Sequence, residues 1–117
     1  MLLRDLDKET RISAARALGQ IGDISAVENL ILSLDDESWE VRAQAAKALG
    51  ALGDRRAVGK LKKALSDKNW WVRHNAADSL YQLGAEGIEV LRMVFSAGEG
   101  SSNIVAAQVL AERALGV

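Results

Sequence analysis

The side chains best equipped for chemistry gather in one stretch, NWWVRHNAADSL, at residues 69–80. It holds two of the three tryptophans and the only histidine of a 117-residue chain. Trp70, Trp71, His74, Asn75, Asp78 and Gln82 recur three and four apart, the spacing that brings side chains to one side of a helix. Such a set could fill a core, form a catalytic site or dock a partner. Metal binding needs several convergent donors, and one neutral imidazole beside one amide does not supply them. The spacing shows no His–carboxylate–nucleophile constellation, no phosphate-cradling glycine loop and no paired carboxylate. Cysteine is absent, which removes thiol chemistry, disulfides and thiolate-bound zinc and suits a reducing compartment. The expectation is a protein without catalytic residues, cofactor or metal.

The elements that carry this stretch follow from composition and from repetition. Proline is absent, and alanine and leucine dominate, as helices prefer. A formal charge of −1 gives no global pull toward nucleic acid or acidic membranes. No uncharged apolar run approaches the roughly 18 to 20 residues that span a bilayer. The start, MLLRDLDKETR, lacks the apolar region and cleavage site of a signal peptide. These points predict an all-helical cytoplasmic protein with no membrane partner.

The chain aligns with itself at a shift of 31 residues. RISAARALGQIGD (11–23) lies over RAQAAKALGALGD (42–54), and that lies over RHNAADSLYQLGA (73–85). LRDLDKETR, LDDESWEVR and LSDKNWWVR precede them in turn. A degraded fourth copy follows at a shift of 30, placing Ala106, Ala107 and Leu110 over Ala76, Ala77 and Leu80. Each unit predicts two helices. In the first kind, Val27, Leu30 and Leu34, then Val58, Leu61 and Leu65, then Ile88, Leu91 and Phe95 mark one apolar face. In the second kind, Val41, Ala45, Leu49 and Leu52 are matched by Val72, Ala76, Leu80 and Leu83. Asp7, Ser38 and Asn69 stand at N-cap positions, and Gly22, Gly53 and Gly84 stand where those helices should end. Asp23 and Asp54 cap the helices that follow. Alanine pairs permit close approach, and neither helix could bury its stripe alone. The predicted fold is all-α: a right-handed α-solenoid of stacked antiparallel hairpins in one domain, 1–117. It divides into a leading half-repeat (1–22), repeats at 23–53 and 54–84, and a terminal capping repeat (85–117).

This skeleton resembles the HEAT-like repeats named after phycobilisome lyases, and VRAQAAKALGALGDRRAV (41–58) carries the resemblance most strongly. The resemblance implies a structural ladder joining adjacent repeats, formed by Asp5, Asp36 and Asp67 with Arg11, Arg42 and Arg73. It also implies that the second helices line the concave face, the usual binding surface. Two departures stand out. Asn29, Lys60 and Val90 occupy places where proline is common in the family, and the fourth copy has Ala97 and Asn103 where the ladder pair would be. Gly59, inside a helix, should cost about 1 kcal/mol relative to alanine.

Opposite the buried stripe, the third repeat carries the opening set. The second repeat carries Trp39, Glu40, Ala43, Gln44, Lys47 and Ala51, and the first carries Lys8, Glu9, Ile12, Ser13, Arg16 and Gln20. Trp39 and Trp70 share a position and could project outward or fold back as lids over the core. Trp71 stands where earlier copies have glutamate, which predicts exposure, and exposed tryptophan marks interfaces. The predicted partner-binding set is Trp39, Gln44, Lys47, Trp70, Trp71, His74, Asn75 and Asp78. Arg55, Arg56, Lys60, Lys62 and Lys63 form a basic helix with no acid beyond Asp54, expected as a solvated face. Ile104, Val105 and Val109 make the last helix either a partly packed cap or a seat for another copy. The first helix has no full partner before it, so its outer side predicts a longer array or a cover.

Enzymes that share the architecture fit poorly. RHNAADSL resembles the metal-binding helices of deoxyhypusine hydroxylase, but Asn75 stands where that family has glutamate, and the other repeats offer Ile12–Ser13, Ala43–Gln44 and Ile104–Val105. Trp70, Trp71 and Asp78 resemble the set of HEAT-like alkyl-base DNA glycosylases. Phosphate binding needs sustained positive charge, whereas this stripe mixes Lys8, Glu9, Arg16, Glu40, Lys47 and Asp78. Nothing in the sequence supplies the bilin site of a phycobilin lyase. The reading is a non-catalytic protein-interaction module. Nucleic-acid binding through the same face and end-to-end self-association are the alternatives.

Overall fold

The computed structural model describes residues 6–98 and 100–114, all in helices, turns or short connections. The helices are α1 (Lys8–Ile21), α2 (Val27–Ser33), α3 (Trp39–Leu52), α4 (Val58–Ala64), α5 (Trp70–Gln82), α6 (Ala85–Ala97) and α7 (Gly100–Ala114). Short 3₁₀ turns at Ile24–Ala26 and Arg55–Ala57 lead into α2 and α4. The α-helical part of these two elements thus covers the apolar stripe but starts later than the Asp23 and Asp54 caps suggested.

Capping explains most boundaries. The Thr10 N–H donates to the Asp7 carboxylate at 2.8 Å, and the Trp71 N–H donates to Asn69 Oδ1 at 2.8 Å. Ser38 takes the N-cap place of α3, but its side chain makes no capping bond; its own N–H donates to Asp36 Oδ1. Asp23 and Asp54 accept from Ser25 and Arg56 at the 3₁₀ turns. Gly22 and Gly53 close α1 and α3 at φ 78° and 68° in the left-handed region, which glycine enters without a Cβ clash. Gly84, expected as a third such end, instead precedes α6 at φ 88°, ψ −150°, and α5 ends through Leu83.

α1, α3, α5 and α7 lie side by side in one row. On the other side α2 leans on α3, α4 on α5, and α6 on both α5 and α7. Small side chains bring the row together. A Cβ on Gly19 would stand 2.8 Å from the Ala48 Cβ, and one on Gly50 would stand 2.3 Å from Ser79 Oγ. Ser79 is buried and donates its hydroxyl to the Ala46 carbonyl at 2.5 Å. Tyr81 replaces this glycine in the third repeat, and α7 packs less closely on α5 than α5 does on α3. α2, α4 and α6 touch one another sparsely, so the row of α1, α3, α5 and α7 makes most of the contact between repeats.

The core is built from the predicted stripes, of which Leu52, Leu83 and Ile88 are only half-buried. Val27, Leu30, Leu34, Val41, Ala45, Leu49, Val58, Leu61, Leu65, Val72, Ala76, Leu80 and Leu91 are buried. Phe95 corrects the pattern: it lies in the last turn of α6 and is 50% exposed. In the last helix Val105 and Val109 pack inward while Ile104 is 69% exposed.

Ion pairs tie the repeats together. Arg11 donates to both oxygens of Asp36 (2.9 and 3.2 Å) and to the Leu6 carbonyl (2.7 Å). Arg42 repeats this with Asp67 (2.9 and 3.2 Å) and the Asp36 carbonyl (2.7 Å). Among the described residues Arg73 reaches only the Asp67 carbonyl, at 2.8 Å, since the fourth copy has Ala97 at the place of the ladder aspartate. Asp5 lies outside the described residues.

Candidate docking surface

Asn69 sets this surface. By accepting from the amides of Trp71 and Val72, its side chain fixes the first turn of α5 so that Val72 points to the core and the two tryptophans point away. The Trp70 and Trp71 rings meet edge to face, 4.8 Å between centroids at 82°, an arrangement favoured by the ring quadrupole. His74 stacks on Trp70 at 4.9 Å and 9°. Trp39, Trp70 and Trp71 are 40%, 43% and 54% exposed. Neither Trp39 nor Trp70 is sealed over the core as a lid.

A half-open cleft of about 310 Å³ lies between α3 and α5. Gln44 and Lys47 line it from α3, and Trp71, His74, Asn75 and Asp78 line it from α5. Six of the eight expected side chains therefore converge there, with Trp39 and Trp70 outside the lining. A second cleft of about 200 Å³, between α1 and α3, shares Gln44 and Lys47 and adds Arg16, Gly19 and Gln20.

Several of these groups already have work inside the chain. Asn75 donates to the Ala43 carbonyl across the repeat boundary at 2.9 Å, and Ala43, expected on the open stripe, is buried. Asp78 is paired with Arg113 of α7, whose guanidinium also lies 5.5 Å over the Tyr81 ring. His74, expected at the surface, is half-buried, and its Nδ1 is enclosed without a hydrogen-bond partner. Lys8 bonds Glu40 at 3.2 Å; a hydrogen bond from the Glu40 backbone, and after it the Lys8 bond, lower the Glu40 carboxyl pKa from its ordinary value. The pairing role of Arg113 left no signal in the sequence, because the fourth copy is degraded and Arg113 matches no charged position in the earlier ones. Among the described residues no three His, Asp or Glu side chains gather as a metal site would require.

The five basic residues Arg55, Arg56, Lys60, Lys62 and Lys63 are exposed, as expected, but the two arginines are paired. Arg56 pairs with Asp54 at 3.0 Å and with Glu28 at 3.2 Å, and Arg55 pairs with Glu86 at 3.4 Å. The acids that sequence spacing did not offer come from neighbouring repeats. The bonds to Asp54 raise the Arg56 pKa further above its ordinary value.

Stacked helical hairpins with a shared small-residue row and an arginine–aspartate ladder define an α-solenoid. Comparison gives the family: the HEAT repeats family matches residues 1–63 and again 27–111, and the chain belongs to it. A solved structure titled "The structure of the complex of CpcE and CpcF of phycocyanin lyase from Nostoc sp. PCC7120" contains a similar chain, with 32% identity and a TM-score of 0.73. The likeness covers 85% of this chain and 40% of that one. Among curated proteins nothing matches. Among the described residues no helix is long and apolar enough to cross a membrane.

Proposed function

We propose that the chain is a non-catalytic protein-interaction module that receives its partner on the row of α1, α3, α5 and α7. The observation that carries this reading is the exposed, touching pair Trp70 and Trp71, with Trp71 lining a half-open cleft and Trp39 exposed one repeat earlier. Tryptophan contributes large contact area at low entropic cost and dominates many interfaces. A stacked solenoid is formed before binding, so little ordering entropy is lost on docking. Gln44 and Lys47 face a partner directly. Asn75 and Asp78, held by Ala43 and Arg113, shape the wall on which it rests. A cytoplasmic setting suits the cysteine-free chain.

The test is a lysate pull-down read by mass spectrometry, comparing the intact protein with a Trp70→Ala, Trp71→Ala double variant of unchanged helical circular dichroism. A specific protein partner is expected to be lost from the variant, with affinity falling about thirtyfold or more once that partner is purified. A folded variant that keeps every partner would remove the tryptophans from the interface. The likeness to a chain of the CpcE–CpcF complex favours a second reading, in which the partner is another HEAT-repeat subunit. Sequence identification of the captured protein separates the two.

A further inference from the structure

The two clefts flank α3 and share Gln44 and Lys47, so together they make a groove that crosses the helices instead of following one. Arg16, Lys47 and Asp78 occupy one position in three successive second helices and form a row along it. Asp78 is neutralised by Arg113, and Glu40 at the rim by Lys8. No acid of the described residues pairs with Arg16 or Lys47, and both are exposed. Their charge is therefore uncompensated within the groove. Gln20 and Gln44 stand beside them, and amide side chains can both donate to and accept from a peptide backbone. The exposed face of Trp71 closes the far end.

Resting on the docking reading above, we propose that the groove takes an extended acidic peptide segment, with carboxylates on Arg16 and Lys47 and an apolar side chain on Trp71. Packed helices lie roughly 8–10 Å apart, which sets the separation of the two cations. A polyproline-II segment repeats its facing side chain every three residues, roughly 9 Å. Acids at i and i+3 of such a segment match the row. A nucleic-acid strand fits less well, because two cations do not sustain a phosphate run and Glu9 and Glu40 lie on the same side.

The experiment selects random twelve-residue peptides from a display library on the purified full chain. The same library is selected on an Arg16→Glu, Lys47→Glu double variant, with an Arg16→Gln, Lys47→Gln pair as a milder control of fold. Enrichment of acids three residues apart is expected on the native chain and is lost on both variants. A selected peptide, followed by fluorescence anisotropy, should weaken about tenfold when either the cations or its own acids are neutralised. Peptides enriched without acids, or enriched equally on the charge-reversed chain, would overturn the proposal. If such peptides are still lost on Trp71→Ala, the docking reading stands while the acidic one falls. Failure to enrich any peptide overturns the acidic segment and counts against the groove itself. A twelve-residue thymidine oligonucleotide that binds more tightly than the selected peptides would assign the groove to nucleic acid instead.

Discussion

Ser38 and Asn69 hold the same position before α3 and α5, yet only Asn69 puts a side-chain oxygen on the helix amides. Asn69→Ala should therefore cost about 1 kcal/mol in urea denaturation, and Ser38→Ala much less. The aspartate caps add a pH signature. Hydrogen bonds from the Thr10 and Ser25 backbone N–H groups hold the Asp7 and Asp23 carboxyls below their ordinary pKa. The stabilisation from a depressed carboxyl is complete above the unfolded-state pKa and disappears as pH falls through the folded one. Thermal melts of the native chain and of Asp23→Ala should differ at neutral pH and converge in acid below the ordinary aspartate range. Convergence at high pH would contradict the assignment. These caps were legible in the sequence because the interaction spans three residues. His74 was not, since its stacking on Trp70 and the enclosure of its Nδ1 depend on where the rings turn.

At the scale of the element, Gly50 and Gly59 look alike in the sequence: each is a glycine inside a helix. Gly59 has open space where a Cβ would go, and Gly50 has Ser79 Oγ. Gly59→Ala should raise stability by about 0.5–1 kcal/mol through helix propensity and a less flexible unfolded chain. Gly50→Ala should lower it by about 1–3 kcal/mol by forcing α3 and α5 apart. Parallel denaturation curves would check both, and a shared sign would mean the row is not packed as described. The apolar stripes were readable because period and helix geometry coincide. The close approaches were not, because what faces a glycine belongs to a helix 31 residues away. Phe95 marks the limit of periodicity, which assigns a face but not whether a neighbour covers it.

For the whole molecule, the ladder decides how repeats communicate. The Arg42 and Asp67 side chains are 8% and 13% exposed, and Asp36 and Asp67 also accept from the amides of Ser38 and Asn69. Asp67→Ala strands a buried guanidinium and removes a brace at the start of α5, so a loss of about 3 kcal/mol is expected. A change below 1 kcal/mol in urea unfolding would show the pair to be dispensable. The tryptophans of the candidate surface could be found from the contrast between copies. The pairing of Asp78 with Arg113 could not, and it leaves Lys47 and Arg16 as the groove's free charges.

The middle repeat carries both halves of the close glycine approach and of the ladder pair. Toward α1 it offers Ala48 to Gly19 and Asp36 to Arg11, and toward α5 it offers Gly50 to Ser79 and Arg42 to Asp67. Residues 23–53 are therefore a self-compatible cassette. A duplicate inserted after Gly53 would set Gly50 against a second Ala48 and Arg42 against a second Asp36. The next repeat has Tyr81 and an arginine without a carboxylate, and cannot be copied in this way. The span of the groove is thus adjustable in steps of one helix pair, from the inside of the array, using only side-chain pairings the protein already contains.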